Sequence, residues 1–396
     1  MPEEPVMTGS SAFSCKRQVS NSGLPEGAAM DPIAKYSILA ELTSPFRRSL
    51  QKTITWAVSG LLTHASVSLP QLALRLAARS GIRAGSALTR LYRLLHNPRF
   101  HEEQLTARLL LLLGRHLKHL LLAVDWTEWT RRRRCLVAAA AVARRALPVA
   151  VTVAPACGPL PSQNRIEEAF LDRLMASLRT YGLKAVLVFD RGFARPGLMR
   201  FLQERAGSSL GWVIRLPRYL GVVREAGTPS VPLARWPLKP GHVVDLGWVE
   251  LGSRPAVRVR VVGLWARGRQ EPWWLATNLS WPVAKVAAVY DRRMAIEQML
   301  RDVKGGRFGV GLRWTQVRRP DALQRLWLLV GLALWVWLAS GAAASQQRWL
   351  RWRVRFSLVR IGRQLMGHGE QAKPPGLMRL PPPRLRLHAF AWIGAG

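Results

Sequence analysis

Carboxylates are scarce in this chain, and three of them sit where they could do chemistry. Asp125 closes the apolar run Leu120–Val124 and is followed by Trp126 and Thr127; Asp190 closes the run Ala185–Phe189 and is followed by Arg191 and Gly192. Acidic side chains that leave neighbouring strands at their carboxyl ends meet in one crevice, and two of them can share a divalent cation. Taken singly, each reads more readily as a turn or capping Asp. The stretch Tyr290–Lys304 supplies a third carboxylate. Tyr290, Arg293, Glu297 and Lys304 are separated by 3, 4 and 7 residues. On a single helix at about 100° per residue they fall at about 0°, −60°, −20° and −40°, one narrow face. A carboxylate flanked by two cations and a phenol suits phosphate chemistry, with Glu297 on a metal and Arg293, Lys304 and Tyr290 on phosphate oxygens. An ordinary surface Glu–Arg pair would show the same spacing. Asp302, the rival on that segment, is turned about 140° from Glu297 and points elsewhere.

These residues need elements to hold them. Leu120–Val124, Cys135–Val142 and Leu147–Val153 read as three antiparallel strands. Ile166–Leu178 follows as an amphipathic helix, then strand Ala185–Phe189, helix Pro196–Glu204 and strand Trp212–Leu216. Three hairpin strands followed by strand–helix units predict an α/β fold, a mixed sheet with helices packed on it. Residues 217–279 break the rhythm with short β-favouring runs, Val243–Leu251, Ala256–Trp265 and Trp273–Ala276, and read as a β-rich insertion. Helical periodicity returns after Pro282, with Val289, Ile296 and Val303 as an apolar stripe, and stops at Gly305-Gly306.

The flanks are different in character. Residues 1–30 are polar and are expected to be disordered, and translation is expected to start at Met1 or at Met30. Residues 31–105 read as a helical DNA-binding domain: Ser68 caps a helix with Pro70 in its first turn, SGIRAG breaks it, and Ser86 caps a second helix. That is a helix-turn-helix outline with Arg83, Arg90 and Arg93 on its polar side. Residues 305–396 form a helical, basic and Pro/Arg-rich carboxyl-terminal region. Within it Leu326–Ala344 carries no charge; a membrane span and a buried core helix share this pattern, and the buried helix is the expectation.

Composition narrows the partner. The 396 residues hold 59 Lys and Arg against 23 Asp and Glu, a net charge of +36, and self-repulsion of that size is relieved by a polyanion such as nucleic acid. Four consecutive arginines, Arg131–Arg134, lie close to Asp125 and read as a DNA contact for the same reason. Cys15, Cys135 and Cys157 form no CxxC pair, which argues against a disulfide framework or a zinc site and for a reducing, cytoplasmic setting.

The spacing Tyr290-x2-Arg293-x3-Glu297-x6-Lys304 resembles the Y-R-E-K signature of one branch of bacterial insertion-sequence DDE transposases, the insertion sequence 4 family. LLAVDWT around Asp125 and VLVFDRGF around Asp190 are similar to the first and second acidic motifs of that branch, and the β-rich insertion before the Glu helix is similar too. The resemblance spans about Leu117 to Lys304 and is general in character elsewhere. It implies a ribonuclease-H-like catalytic core over 117–304, interrupted by the 217–279 insertion. Asp125, Asp190 and Glu297 would there bind two Mg²⁺ or Mn²⁺ ions for in-line phosphoryl transfer.

The implied reaction is cleavage at transposon ends with subsequent strand transfer to target DNA. Tyr290, Arg293 and Lys304 would grip phosphates at the cleaved end. A tryptophan of the insertion, Trp273, Trp274, Trp248 or Trp265, would stack a flipped base. The implied partner is double-stranded DNA, both transposon ends and target, bound by a homodimer and without a membrane. Two other readings fit the same residues: a ribonuclease-H-like metal-dependent nuclease that cuts without joining, and a catalytically inactive DNA-binding protein.

Overall fold

The computed structural model describes residues 39–130, 133–142, 145–155, 162–224, 228–252, 256–305, 310–312, 315–345 and 357–367. The expectations for residues 1–30, Arg131, Arg132, Cys15, Cys157, Gly306 and the Pro/Arg-rich stretch within 368–396 fall outside them. Four helices come first: α1 (Arg48–His64), α2 (Leu69–Ser80), α3 (Ala84–Leu95) and α4 (Glu102–Gly114). Each buries a leucine-rich stripe, as in α2, where Leu69, Leu72, Ala73, Leu76 and Ala77 face inward. Ser68 and Pro70 do start α2, although the Ser68 side chain makes no capping bond. The second helix starts earlier than its sequence suggests: Arg83 is the N-cap of α3, and Gly85 and Ser86 lie inside the first turn. The packing of Ala87, Leu91, Leu94 and Leu95 outweighs the weak helix propensity of the Gly-Ser pair.

Strands β1 (Leu120–Thr130), β2 (Arg133–Val142) and β3 (Arg145–Pro155) form an antiparallel meander. Helix α5 (Gln163–Thr180) leads to β4 (Ala185–Phe189), and α6 (Pro196–Ala206) leads to β5 (Leu210–Leu216). Both β4 and β5 run parallel to β1, which gives the order β3-β2-β1-β4-β5. Three antiparallel strands joined to two parallel ones by helical crossovers are the ribonuclease-H-like mixed sheet. The continuous apolar run of β4 is buried along its whole length, as a strand between two parallel neighbours must be.

The β-rich stretch continues this sheet. β6 (Gly221–Val223), β7 (Val231–Pro232), β8 (Val243–Leu251), β9 (Val257–Leu264) and β10 (Trp273–Thr277) come next in sequence. β10 pairs antiparallel with β5, and the described strands make one ten-stranded sheet ordered β3-β2-β1-β4-β5-β10-β9-β8-β6-β7.

The segment expected as one helix is two, α7 (Val283–Asp291) and α8 (Met294–Lys304), with a turn at Arg292-Arg293. The cause is that the halves join different cores. Tyr290 and Val286 pack with Val213, Val262 and Leu275, whereas Ile296, Met299 and Val303 join the larger core shared with β1–β3.

The uncharged stretch lies in α9 (Pro320–Ser345). It is long and apolar enough to cross a membrane, yet 94% of its most hydrophobic window is buried inside the protein. Trp327 and Trp337 are almost fully enclosed, and the helix packs on β3 and α1. α10 (Leu358–Gly367) lies against it at very short range. A methyl group at Gly341 would stand 1.9 Å from the Leu358 carbonyl oxygen, and one at Gly362 would stand 1.8 Å from that of Trp337. Only glycine permits that approach.

Candidate active site

The register of β1 and β4 decides how the first two carboxylates meet. Val124 pairs with Phe189 across the parallel ladder, so the next residues, Asp125 and Asp190, stand abreast on strands about 4.8 Å apart. Beyond this pair the two strands diverge. β4 ends at Phe189, and Asp190 caps a single 3₁₀ turn, its Oδ1 accepting the Arg191 N–H at 2.6 Å. β1 does not end at Asp125 as its sequence suggests; it runs on to Thr130, with Asp125 opposite Val137 of β2. What stops at Asp125 is the parallel pairing, which opens the crevice there.

Glu297, in the first turn of α8, reaches the same place through Arg293. The Arg293 guanidinium lies between two of the carboxylates: Nη1 is 3.4 Å from Asp125 Oδ2, and Nη2 donates to Glu297 Oε1 at 3.0 Å. Arg293 is 5% exposed, and its Nε has no hydrogen-bond partner. Spacing had suggested that this side chain would face phosphate; in the structure it faces the acidic groups.

Charge and burial set the protonation of the centre. Burial, chiefly, raises Asp125 from 3.8 to about 6. Arg293 pulls it back, Asp190 and Glu297 push it up, and the Trp126 backbone N–H pulls it down. Burial also works against the Arg293 charge, but Tyr290, Asp190, Asp125 and Glu297 together hold its pKa above the ordinary arginine value. Asp190 is therefore electrostatically part of the centre.

Tyr290 and Glu297 fall in separate helices, α7 and α8, with Arg293 at the turn between them in reach of both. It is 2% exposed, packs edge-on against Trp273 at 4.9 Å, and lies 5.8 Å from the Arg293 guanidinium, with its buried hydroxyl unpartnered. Burial raises its pKa. Lys304 is half-buried at the far end of α8, about 10 Å along the helix from Glu297. Its charge acts on the buried Cys135 thiol, which burial pushes up to about 12. Asp302 is held elsewhere, 3.6 Å from Arg145 of β3. Of the four tryptophans considered for base stacking, Trp273 and Trp274 are buried, Trp265 is half-buried, and Trp248 is 46% exposed.

Sequence reading missed a second layer of this site. Glu167 of α5 is fully buried and accepts from Trp126 Nε1 at 2.7 Å and from Gln163 Nε2 at 2.8 Å; it also pairs with the Arg195 guanidinium. Arg134 lies 4.4 Å over the Trp126 ring and donates to Gln163 Oε1 at 2.6 Å. On the other flank Glu271 pairs with Arg215 and lies 3.9 Å from Arg191. The one sequence signal for Glu167 is its place among the inward positions of α5, next to Phe170, Leu171 and Leu174.

Among the described residues no three His, Cys, Asp or Glu side chains come together tightly enough to hold a metal ion as they stand. The donor set nevertheless fits a hard cation, being carboxylate oxygen throughout. It lies where burial and mutual repulsion already press for positive charge.

No curated protein matches the chain. Among solved structures, Marinitoga piezophila Argonaute in complex with 5′-OH guide RNA and target DNA aligns with a TM-score of 0.22 and 10% identity. That alignment covers 62% of this chain and 34% of the Argonaute chain, and at this similarity it adds nothing to the reading of the site. The model of the transposase DDE domain family matches residues 116–336, more than half of the chain and the span that holds Asp125, Asp190 and Glu297. The chain belongs to the transposase DDE domain family.

Proposed function

We propose that this transposase cleaves DNA at transposon ends and joins the freed end to target DNA by in-line phosphoryl transfer, with Asp125, Asp190 and Glu297 as the metal-binding residues. The observation that carries the reading is the placement of Asp125 and Asp190 side by side on adjacent parallel strands, with Glu297 linked to Asp125 through one guanidinium. Two Mg²⁺ or Mn²⁺ ions held there would activate the attacking oxygen and stabilise the leaving one. Asp125 must be ionised to take part, so the centre gains competence as pH rises through about 6. Arg293 holds the carboxylates together, and its planar fork would suit a phosphate of the DNA end once the carboxylates were engaged by metal. Lys304 adds a point charge further along α8, and the buried Tyr290 ring backs Arg293. With these assignments the chain reads as a member of the insertion sequence 4 branch, a reading supported by the spacing of Tyr290, Arg293, Glu297 and Lys304.

The same reading makes double-stranded DNA the partner, bound by two copies of the chain in the cytoplasm, with residues 31–105 as the DNA-reading part. Its support is the net charge of +36 and the exposed Arg83, Arg90 and Arg93 around α3. The test is a cleavage and joining assay on end-bearing DNA with Mg²⁺ or Mn²⁺. Asp190→Ala should abolish both steps while DNA binding persists. Cleavage without joining by the intact chain would favour a plain nuclease, and neither step would favour an inactive DNA-binding protein.

A further inference from the structure

We infer that Glu167 is a positioning residue for the metal-binding carboxylates, acting through Trp126 and Arg195 on the two strand ends that carry Asp125 and Asp190. The inference rests on the reading of Asp125 and Asp190 as metal ligands. Among the described residues Glu167 is the one carboxylate in the fully buried class, and its donors define what it does. Trp126 comes directly after Asp125 on β1, so its side chain leaves the opposite face of the strand, and its Nε1–H is tied to Glu167 Oε1 at 2.7 Å. Arg195 lies five residues beyond Asp190, at the N-cap of α6 and just past the 3₁₀ turn that Asp190 itself caps; it pairs with Glu167 Oε2. One side chain thus holds both segments from beneath the sheet, one oxygen for each.

The arrangement is framed on its other sides. Gln163 donates to the same Oε1 that takes Trp126, and Arg134 stacks on the Trp126 ring while donating to Gln163, so the indole has little freedom to turn. Arg195 Nη2 also reaches Glu168 at 3.5 Å, which steadies its fork. A carboxylate with no exposure is costly to bury and is retained with all its donors in place. Here those donors come from the two strand ends whose relative position sets the spacing of Asp125 and Asp190. Partners of this kind fix ligand orientation, and their loss is read in metal affinity.

The experiment uses the full chain and Mn²⁺. Binding to the DNA-free protein is followed by electron paramagnetic resonance, and end cleavage is measured against Mn²⁺ concentration. Glu167→Gln should raise the Mn²⁺ concentration for half-saturation about tenfold and shift the cleavage curve by a similar factor. Affinity for end DNA in chelator should stay within about twofold of wild type, since no phosphate contact is removed. Trp126→Phe keeps the ring and deletes only the N–H donor; it should move both metal curves in the same direction by a smaller factor, and it decides the question if Glu167→Gln does not fold. Metal curves that coincide with wild type in the folded variants overturn the inference. Asp190→Ala is the control for the parent reading: if it too leaves Mn²⁺ binding unchanged, the assignment of the ligands fails rather than that of Glu167.

Discussion

Asp125→Asn should make the metal-free protein more stable while destroying its activity. Burial lifts the Asp125 carboxyl from 3.8 to about 6, and that figure already contains the attraction of Arg293. Below pH 3.8 the group is protonated whether folded or unfolded and costs nothing. Between 3.8 and about 6 only the unfolded chain ionises it, so the folded state loses stability as pH rises, and the loss is complete above 6. At about 1.4 kcal/mol per pH unit the full penalty is about 3 kcal/mol. The amide mimics the protonated acid, and Arg293 keeps its 3.0 Å bond to Glu297. Urea denaturation of wild type and variant in chelator at pH 8, 6 and 4 measures this directly. The variant should gain up to about 3 kcal/mol at pH 8, somewhat less at pH 6, and no more than about 0.5 kcal/mol at pH 4. Added Mg²⁺ should reverse the order at pH 8, because only wild type gains binding energy from it. A variant less stable than wild type at pH 8, or a difference that does not change with pH, would refute the electrostatic reasoning.

Arg293→Ala removes the cation between Asp125 and Glu297, so the metal-free chain should lose about 3 kcal/mol or more, and Mg²⁺ should recover a larger share of stability than in wild type; denaturation with and without Mg²⁺ checks both. Asp302→Asn breaks the pair with Arg145 and removes the attraction of Arg301 and Arg363, away from Asp125; cleavage should stay within about twofold and stability within about 1 kcal/mol, and loss of cleavage here with retention in Glu297→Gln would exchange the two assignments. Arg325→Met strips hydrogen bonds from the Leu95 and Phe100 carbonyls and leaves Glu102, 3.2 Å away, unpaired; chemical denaturation should show a loss of about 3–5 kcal/mol. Plotting the logarithm of end-DNA affinity against the logarithm of salt should give a slope shallower by about one for Lys304→Ala, and an unchanged slope would remove Lys304 from the DNA contact.

The sequence made some of this legible and hid the rest for physical reasons. β4 and β8 have the bounds their sequences suggest, because burial on both faces of β4 and the β-favouring residues of β8 show in residue type. The order of acidic motifs could be read because each comes after such a strand. The break between α7 and α8 could not. Arg293 keeps helical dihedrals, φ −54° and ψ −34°, so nothing local marks the turn, and only the two separate cores claiming Tyr290 and Ile296 require it. The consequence is that Tyr290 is anchored in the smaller core while Glu297 belongs to the helix docked on the larger one, with Arg293 reaching both. Glu167 was invisible for a different reason: the partners that tie it to the strand ends, Trp126 and Arg195, lie 41 residues before it and 28 after, and no spacing rule links them.

Arg325 lies on α9, the helix that also packs against β3, and its guanidinium holds the carbonyl of Leu95 at the end of α3. The helices before the sheet and the sheet itself are therefore parts of one continuous core, with α9 as the rod between them. A chain built this way behaves as a ruler. If α3 reads DNA as proposed, the stretch it engages is held through this shared core at a set offset, in base pairs, from the carboxylates. Substrates in which the bound sequence is moved by one or two base pairs relative to the cleavage point would be cut at a displaced bond rather than at the original one.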